Sequence, residues 1–345
     1  MPTVAKFTWV TRRVPVGLEL DWTSPQRPGI GDLLLCEVIH PSLHRRIETV
    51  DGGRSRIYPG DRIVCAVGNR YASAVLEGTA EIAGEQIELL SASGICGRVL
   101  ERASGVIRPT SIRVLAQASL AGRPVNLQTF AAPLASVVSH EPAWIVVTGS
   151  SMDSGKTTAC ASLINGLVRA GLRVAAAKLT GTASGRDLGA FRDAGAAAVY
   201  DFLDHGWPST AGCSPCELEQ IVEALVGDLR ASAADVAVLE IADGLLQPET
   251  RAVLLQLGNL LRDPRLIVTA AESLSAVASA ERLLRLGYHV AAITGVVTNS
   301  PLASREIELE CAIQCIPTEE LCHHALSLVG IQQYASKTLT LIGIT

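Results

Sequence analysis

The sequence predicts an α/β protein in two parts: a C-terminal doubly wound, mostly parallel sheet, preceded by a smaller β-rich domain. Three observations carry this expectation. From Ala143 onward, apolar runs of strand length alternate with helical segments. Before that point the apolar runs are short and separated by turn signals. Between the two lies a stretch, Asn126 to Pro142, with few periodic signals and the prolines Pro133 and Pro142. The expected domains are therefore residues 1–140 and 141–345.

Composition bounds the rest. A chain of 345 residues is about two domains at roughly 150 residues each, with ample length for a core. Hydrophobic residues make up 48% and charged residues 18%, against a usual charged share of about 25%. The net charge is −5, so the basic footprint of a nucleic-acid binder is missing. Met1-Pro2-Thr3 opens no basic stretch followed by an apolar run, and no run reaches the roughly 18 apolar residues of a membrane span. The expectation is a cytoplasmic protein with neither nucleic acid nor membrane as partner. The nine cysteines are expected as reduced, small buried side chains. The alternative, a metal site at Cys213 and Cys216 or at Cys311, Cys315 and Cys322 before His323 and His324, lacks a second C-x-x-C at finger-like spacing.

In the N-terminal part the apolar runs are Leu33 to Val38, Arg62 to Val67 and Gln86 to Leu90. Pro28-Gly29, Asp51-Gly52-Gly53, Pro59-Gly60-Asp61 and Ala83-Gly84 separate them as turns, which suggests a small barrel or sandwich. Gly68-Asn69-Arg70-Tyr71 reads as a turn after the second strand rather than as a ligand loop. In the C-terminal part the expected strands are Trp144 to Thr148, Arg173 to Lys178, Asp235 to Ile241, Leu266 to Ala270 and Val290 to Val297. Helices are expected at about 155–170, 186–196, 216–231, 248–262 and 272–287. The strands are continuous apolar runs, as strands covered on both faces should be. Ligands in such sheets sit at the carboxyl ends of the strands.

The first such end is the most informative. Ile145 to Thr148 leads into Gly149-Ser150-Ser151-Met152-Asp153-Ser154-Gly155-Lys156-Thr157-Thr158 and then a helix. Loop and helix N-terminal amides point at anionic phosphate, and Gly155 lets the backbone approach closely. Lys156 reaches the β- and γ-phosphates, and the Thr157 hydroxyl ligates magnesium. Gly149 to Thr158 is thus the expected cradle for a nucleoside triphosphate, ATP or GTP, with Mg2+. The usual spacing places a glycine at position 150; here that residue is Ser150, and the glycine stands one earlier.

That departure resembles dethiobiotin synthetase and its relatives, including the cobyric-acid-type amidotransferases, which also have a glycine six residues before Gly-Lys-Thr and an acid inside the loop. The resemblance implies that Asp153 helps hold magnesium. Val174 to Lys178 followed by Leu179-Thr180-Gly181-Thr182 is similar to that family's second strand. It implies that Lys178 stabilises the transferring phosphoryl group and the substrate carboxylate, with Thr180 and Thr182 facing substrate. Asp235 to Leu246 looks like the family's Glu-Gly-x-Gly-Gly segment, with Ile241 and Asp243 in place of two glycines. Glu240 then matches the metal-organising acid, and Asp243 is a further metal or substrate candidate. Ala291 to Pro301 is similar to the late strand whose Asn reads the base, which leaves Asn299 neutral between ATP and GTP. A second resemblance, to a P-loop group that includes a D-amino-acid N-acyltransferase, rests on Thr180-Gly181-Thr182 and on Asp201 to Thr210. It makes Asp201, Asp204 and His205 candidates for substrate binding and acid–base work.

The leading expectation is a magnesium-ATP-dependent ligase or synthetase that phosphorylates a small carboxylate or carbamate for attack by an amine. The alternatives are an amino-acid N-acyltransferase using acyl-coenzyme A, and a nucleotide switch or metal-delivery NTPase. The expected partner is a small carboxylate or amino acid, and the resemblance implies a homodimer or higher homo-oligomer.

Overall fold

Strands with a side-chain period of two build the first half of the computed structural model, which describes residues 5–135 and 140–330. They are β1 (Leu33–His40), β2 (Arg62–Val67), β3 (Gln86–Leu89), β4 (Ile95–Arg102) and β5 (Thr110–Leu120). The pairing order is β2-β1-β5-β3-β4, and β4 returns to β2, so the ring closes into a barrel. Neighbours are antiparallel except at the closing pair, where Ile95 and Cys96 lie parallel to Ala66 and Val67. Alternate side chains fill the interior: Leu34, Cys36 and Val38 from β1, Ile63, Cys65 and Val67 from β2, and Ile87 and Leu89 from β3. The opposite set, including Leu33, Ala66 and Ile95, belongs to a hydrophobic cluster that continues into the C-terminal half. Burial on both faces makes β2 visible as the unbroken apolar run Ile63 to Val67, and β1 as a run broken only at Glu37. β5 carries no such run. Arg113 and Gln117 interrupt it, and bulges in its pairing with β1 at Ser111/Ile112 and Val114/Ala116 shift the alternation.

The second half is the expected doubly wound sheet. Its strands are β6 (Ala143–Gly149), β7 (Val174–Lys178), β8 (Ala198–Asp201), β9 (Val236–Glu240), β10 (Arg265–Thr269) and β11 (His289–Thr294). All pair parallel, in the order β8-β7-β9-β6-β10-β11. Ile145 and Val147 face α1 (Lys156–Arg169), α2 (Gly185–Asp193) and α7 (Leu321–Val329) in one cluster. Trp144 and Val146 face the other cluster, with α3 (Pro215–Ala231), α4 (Pro248–Leu260), α5 (Ser273–Arg285) and α6 (Pro301–Cys311). Among the described residues no helix is long and apolar enough to cross a membrane.

Three local differences from the sequence expectation have physical causes. β11 ends at Thr294 rather than Val297, because Gly295 turns with φ 100° into a short 3-10 helix, Val296–Asn299. A Cβ at Gly295 would lie 2.2 Å from the Ser154 carbonyl oxygen, so only glycine fits beside the loop there. The edge strand β8 is short and only partly buried. α6 begins at the Ser300 cap and Pro301, a helix start that also reads as an Asn-Ser-Pro turn. Of the stretch expected to link the halves, Leu127–Phe130 forms a 3-10 helix capped by Asn126, and residues 136–139 lie outside the described residues.

The barrel is fastened to the carboxyl ends of the sheet. Arg12, stacked over Trp9 at 4.8 Å, donates to Asp201 at 2.6 Å and contacts Asp204 at 2.8 Å. Glu48 accepts from the Gly185 amide at 2.7 Å, and Asn69 donates to the Ala211 carbonyl at 3.1 Å. Arg12→Met is expected to lower the unfolding free energy by about 3 kcal/mol, because it leaves a fully buried carboxylate without its cation. Burial already lifts the Asp201 carboxyl above its ordinary range against the pull of Arg12, so proton uptake limits the loss. Urea titration measures the effect, and Asp201→Asn in the same chain should recover part of it. An unchanged midpoint in Arg12→Met would mean that the network contributes nothing to stability.

Candidate active site

The loop after β6 is shaped by where a side chain cannot stand. A Cβ at Gly149 would lie 2.5 Å from Ser154 Oγ and 2.7 Å from Thr269 Oγ1, which bond each other at 2.7 Å. The crowded position is therefore 149, whereas at 150 a serine fits, its Oγ buried with no partner among the described residues. Gly155 takes φ 102° and Asp153 φ 59°, which turn the chain into α1. The Lys156 ammonium donates to the Ser151 carbonyl at 2.7 Å and to the Asp243 carbonyl at 2.9 Å. Burial lowers its pKa, and Glu240 and Asp243 oppose the shift.

Thr157 Oγ1 stands 3.1 Å from each Glu240 carboxylate oxygen, which joins the start of α1 to the end of β9. A hydroxyl and a carboxylate are hard oxygen donors and suit magnesium. The Glu240 carboxyl is pushed up to about 7 by burial, while Lys178 and Lys156 pull it down. In register beside Glu240, at the end of β7, stands Lys178. It donates to the Asp187 carboxylate and, at 3.1 Å, to the Thr182 carbonyl. Burial works against its charge, but Asp187 and Glu240 outweigh burial and hold its pKa above the ordinary value. Thr180 Oγ1 accepts from the Ala242 amide at 2.9 Å, and Asp243 follows with φ 60°. Burial raises the Asp243 carboxyl, with Lys156 and Lys178 opposing.

Beside these groups opens a cavity of about 840 Å³, which buried Thr180 does not line. Asp153, Lys156, Thr157, Lys178, Thr182, Glu240 and Asp243 line it from the sheet side. The barrel supplies the facing wall, through His44, Glu48, Arg70 and Tyr71. Of Gly68-Asn69-Arg70-Tyr71, expected as a turn, Arg70 and Tyr71 begin a short strand and form part of this wall. Burial and the charge of Arg70 push His44 down to about 4, so its imidazole is neutral. Asp187, also in the lining, carries no signal in the sequence, because it sits in the first turn of α2, where an acid is ordinary helix chemistry.

Other candidates are placed elsewhere. His205 is buried, with Nε2 2.7 Å from Asp228 of α3, and does not line the cavity. Asp201 and Asp204 are engaged by Arg12, and Asp201 also caps the 3-10 helix Phe202–His205. Asn299 is exposed after β11, outside the cavity lining. Among the described residues no group of three or more His, Cys, Asp or Glu is placed to hold a metal ion. Cys36, Cys65 and Cys96 are free thiols in the barrel interior.

A central strand ending in a glycine-bounded loop, Gly-Lys-Thr at the start of the next helix, and an acid closing the adjacent strand define a P-loop α/β fold. No family model matches the chain, and no curated protein matches it. Solved structures similar to it include the signal recognition particle 54 kDa protein from Aeropyrum pernix K1 in complex with GDP. That match has 17% identity and a TM-score of 0.38, and covers 59% of this chain and 50% of the other. A ParA family ATPase from Chlorobium tepidum TLS matches at 14% identity and a TM-score of 0.34, over 58% of this chain and 97% of its own. Chloroplast FtsY from Physcomitrella patens matches at 16% identity and 0.34, over 59% and 71%. The chain spans half the length of the first of these.

Proposed function

We propose that this protein is a magnesium-ATP-dependent synthetase. A carboxylate (or carbamate) oxygen of a small acceptor attacks the γ-phosphorus, ADP leaves, and an amine then displaces phosphate from the acyl phosphate. The observation that supports this most is the shared cavity. A phosphate loop alone serves a switch as well, but here a charged lysine and a barrel wall enclose space in front of it. The loop amides and Lys156 would hold the β- and γ-phosphates. Thr157 and Glu240, with Asp153 nearby, would hold magnesium, which neutralises charge on the phosphates. Lys178, kept protonated by Asp187 and Glu240, would orient the acceptor carboxylate and oppose the charge that develops during transfer. The order of Gly149, Lys178 and Glu240 along the chain, similar to dethiobiotin synthetase, supports the same reading. The acyltransferase alternative gets no support from the cavity, because Asp201 and His205 are engaged elsewhere.

Hydroxylamine trapping tests the proposal. Incubation with magnesium-ATP, hydroxylamine and a panel of small carboxylates should give ADP and hydroxamate together, with one acid far ahead of the others. ADP released at the same rate whatever acid is present would sink the synthetase and favour the switch.

A further inference from the structure

Four basic side chains are taken largely out of water: Arg12, Arg70, Lys156 and Lys178. Arg12 is paired with Asp201 and Asp204, and Lys178 with Asp187. Lys156 and Arg70 have no carboxylate at ion-pair distance among the described residues, and both line the same cavity. A buried cation without an anion is unfavourable unless a ligand supplies one. For Lys156 the missing anion is a nucleotide phosphate, if the proposed function holds. Arg70 needs another.

The guanidinium of Arg70 is aimed by the barrel. It leaves the short strand Arg70–Ala72, and its Nη1 donates to the Leu90 carbonyl and stands 3.3 Å from His44 Nε2. Its Nε is buried with no partner, and its Nη2 has none among the described residues. The edge left over, Nε with Nη2, is one that grips a planar carboxylate through two parallel bonds. Burial pushes Arg70 down to about 10, with Asp243 only partly opposing, as befits a cation whose counter-ion is not in the protein.

We infer that Arg70 receives a second carboxylate of the acceptor, which makes the acceptor a small dicarboxylate, one end facing Lys178 and the other held on the barrel wall. The role of the first carboxylate rests on the synthetase reading; the Arg70 subsite does not.

Thermal unfolding of the full chain without nucleotide tests the subsite, with malonate, succinate and glutarate as probes beside acetate, propionate and butyrate. One dicarboxylate should raise Tm where its monocarboxylate counterpart at equal concentration does not. Its affinity should fall at least about tenfold in Arg70→Met, the loss of a charge-assisted fork, and Arg70→Lys should recover only part. Without ligand, Arg70→Met should melt no lower than the wild type, since it removes an unpaired buried charge. A lower Tm for unliganded Arg70→Met would show that Arg70 already has its partner in the protein and would overturn the inference. Equal stabilisation by mono- and dicarboxylates, or equal stabilisation of Arg70→Met, would overturn it too. So would a loss of magnesium-ATP affinity in Arg70→Met as large as in Lys156→Ala, which would assign Arg70 to the nucleotide. If the wild type takes up a dicarboxylate through Arg70 but binds no nucleotide, the subsite stands and the synthetase reading falls.

Discussion

Lys156→Ala is expected to weaken magnesium-ATP binding about a thousandfold, close to 4 kcal/mol, the loss that follows when one partner of a buried charge-assisted contact is removed. The ammonium now has two neutral carbonyls as partners, which stabilise a buried charge far less than a phosphate does. Its pKa is held down by burial, so an arriving anion gains the full attraction of a poorly solvated cation. The fold should not suffer, because the substitution removes a desolvated charge and leaves no carboxylate behind. Calorimetry with magnesium-ATP and magnesium-GTP, the wild type beside the variant, measures the effect. Equal affinity in the two proteins, or no binding of either nucleotide by the wild type, would remove the basis for a nucleotide site.

Lys178→Met should lower carboxylate-dependent ADP formation about a thousandfold, the upper range for losing one preorganised charge at a reacting group, while nucleotide affinity changes little. The same variant should lose about 2 kcal/mol of stability. That is below the usual cost of breaking a buried pair, because the Asp187 side chain keeps 23% exposure and sits in the first turn of α2, where the helix dipole favours an acid. The double variant Lys178→Met, Asp187→Leu separates the two effects. It should regain stability in urea titration and remain inactive in hydroxamate formation. Recovery of turnover in the double variant, or full turnover in the single one, would reduce Lys178 to a structural role.

How far the sequence carries can be seen residue by residue. The strand before Gly149, the helix after Lys156, and the positions of Lys178 and Glu240 at strand ends follow from local periodicity and loop chemistry. The sheet puts those strand ends side by side, with Lys178 in register with Glu240. The glycine of the loop stands one position before the usual spacing. The contacts at Gly149 show that the close approach simply occurs one residue earlier. Asp201 and His205 show the opposite limit. Their segment resembles a catalytic one, but the cation paired with Asp201 is Arg12, 189 positions earlier in the chain, and no local pattern announces it.

The sequence by itself determined the α/β class, the phosphate loop and the placing of Lys178 and Glu240 at strand ends, because strand and helix formation depend on residues a few positions apart. Only the tertiary structure decided that the N-terminal strands close into a barrel, that the barrel seats on the carboxyl ends of the sheet, and that Arg70, His44 and Glu48 come to face Lys178 and Glu240. Those contacts join segments far apart in the chain. They depend on burying β1 and β2 on both faces and on pairing Arg12 with Asp201 and Asp204, and such long-range complementarity leaves no period in the sequence.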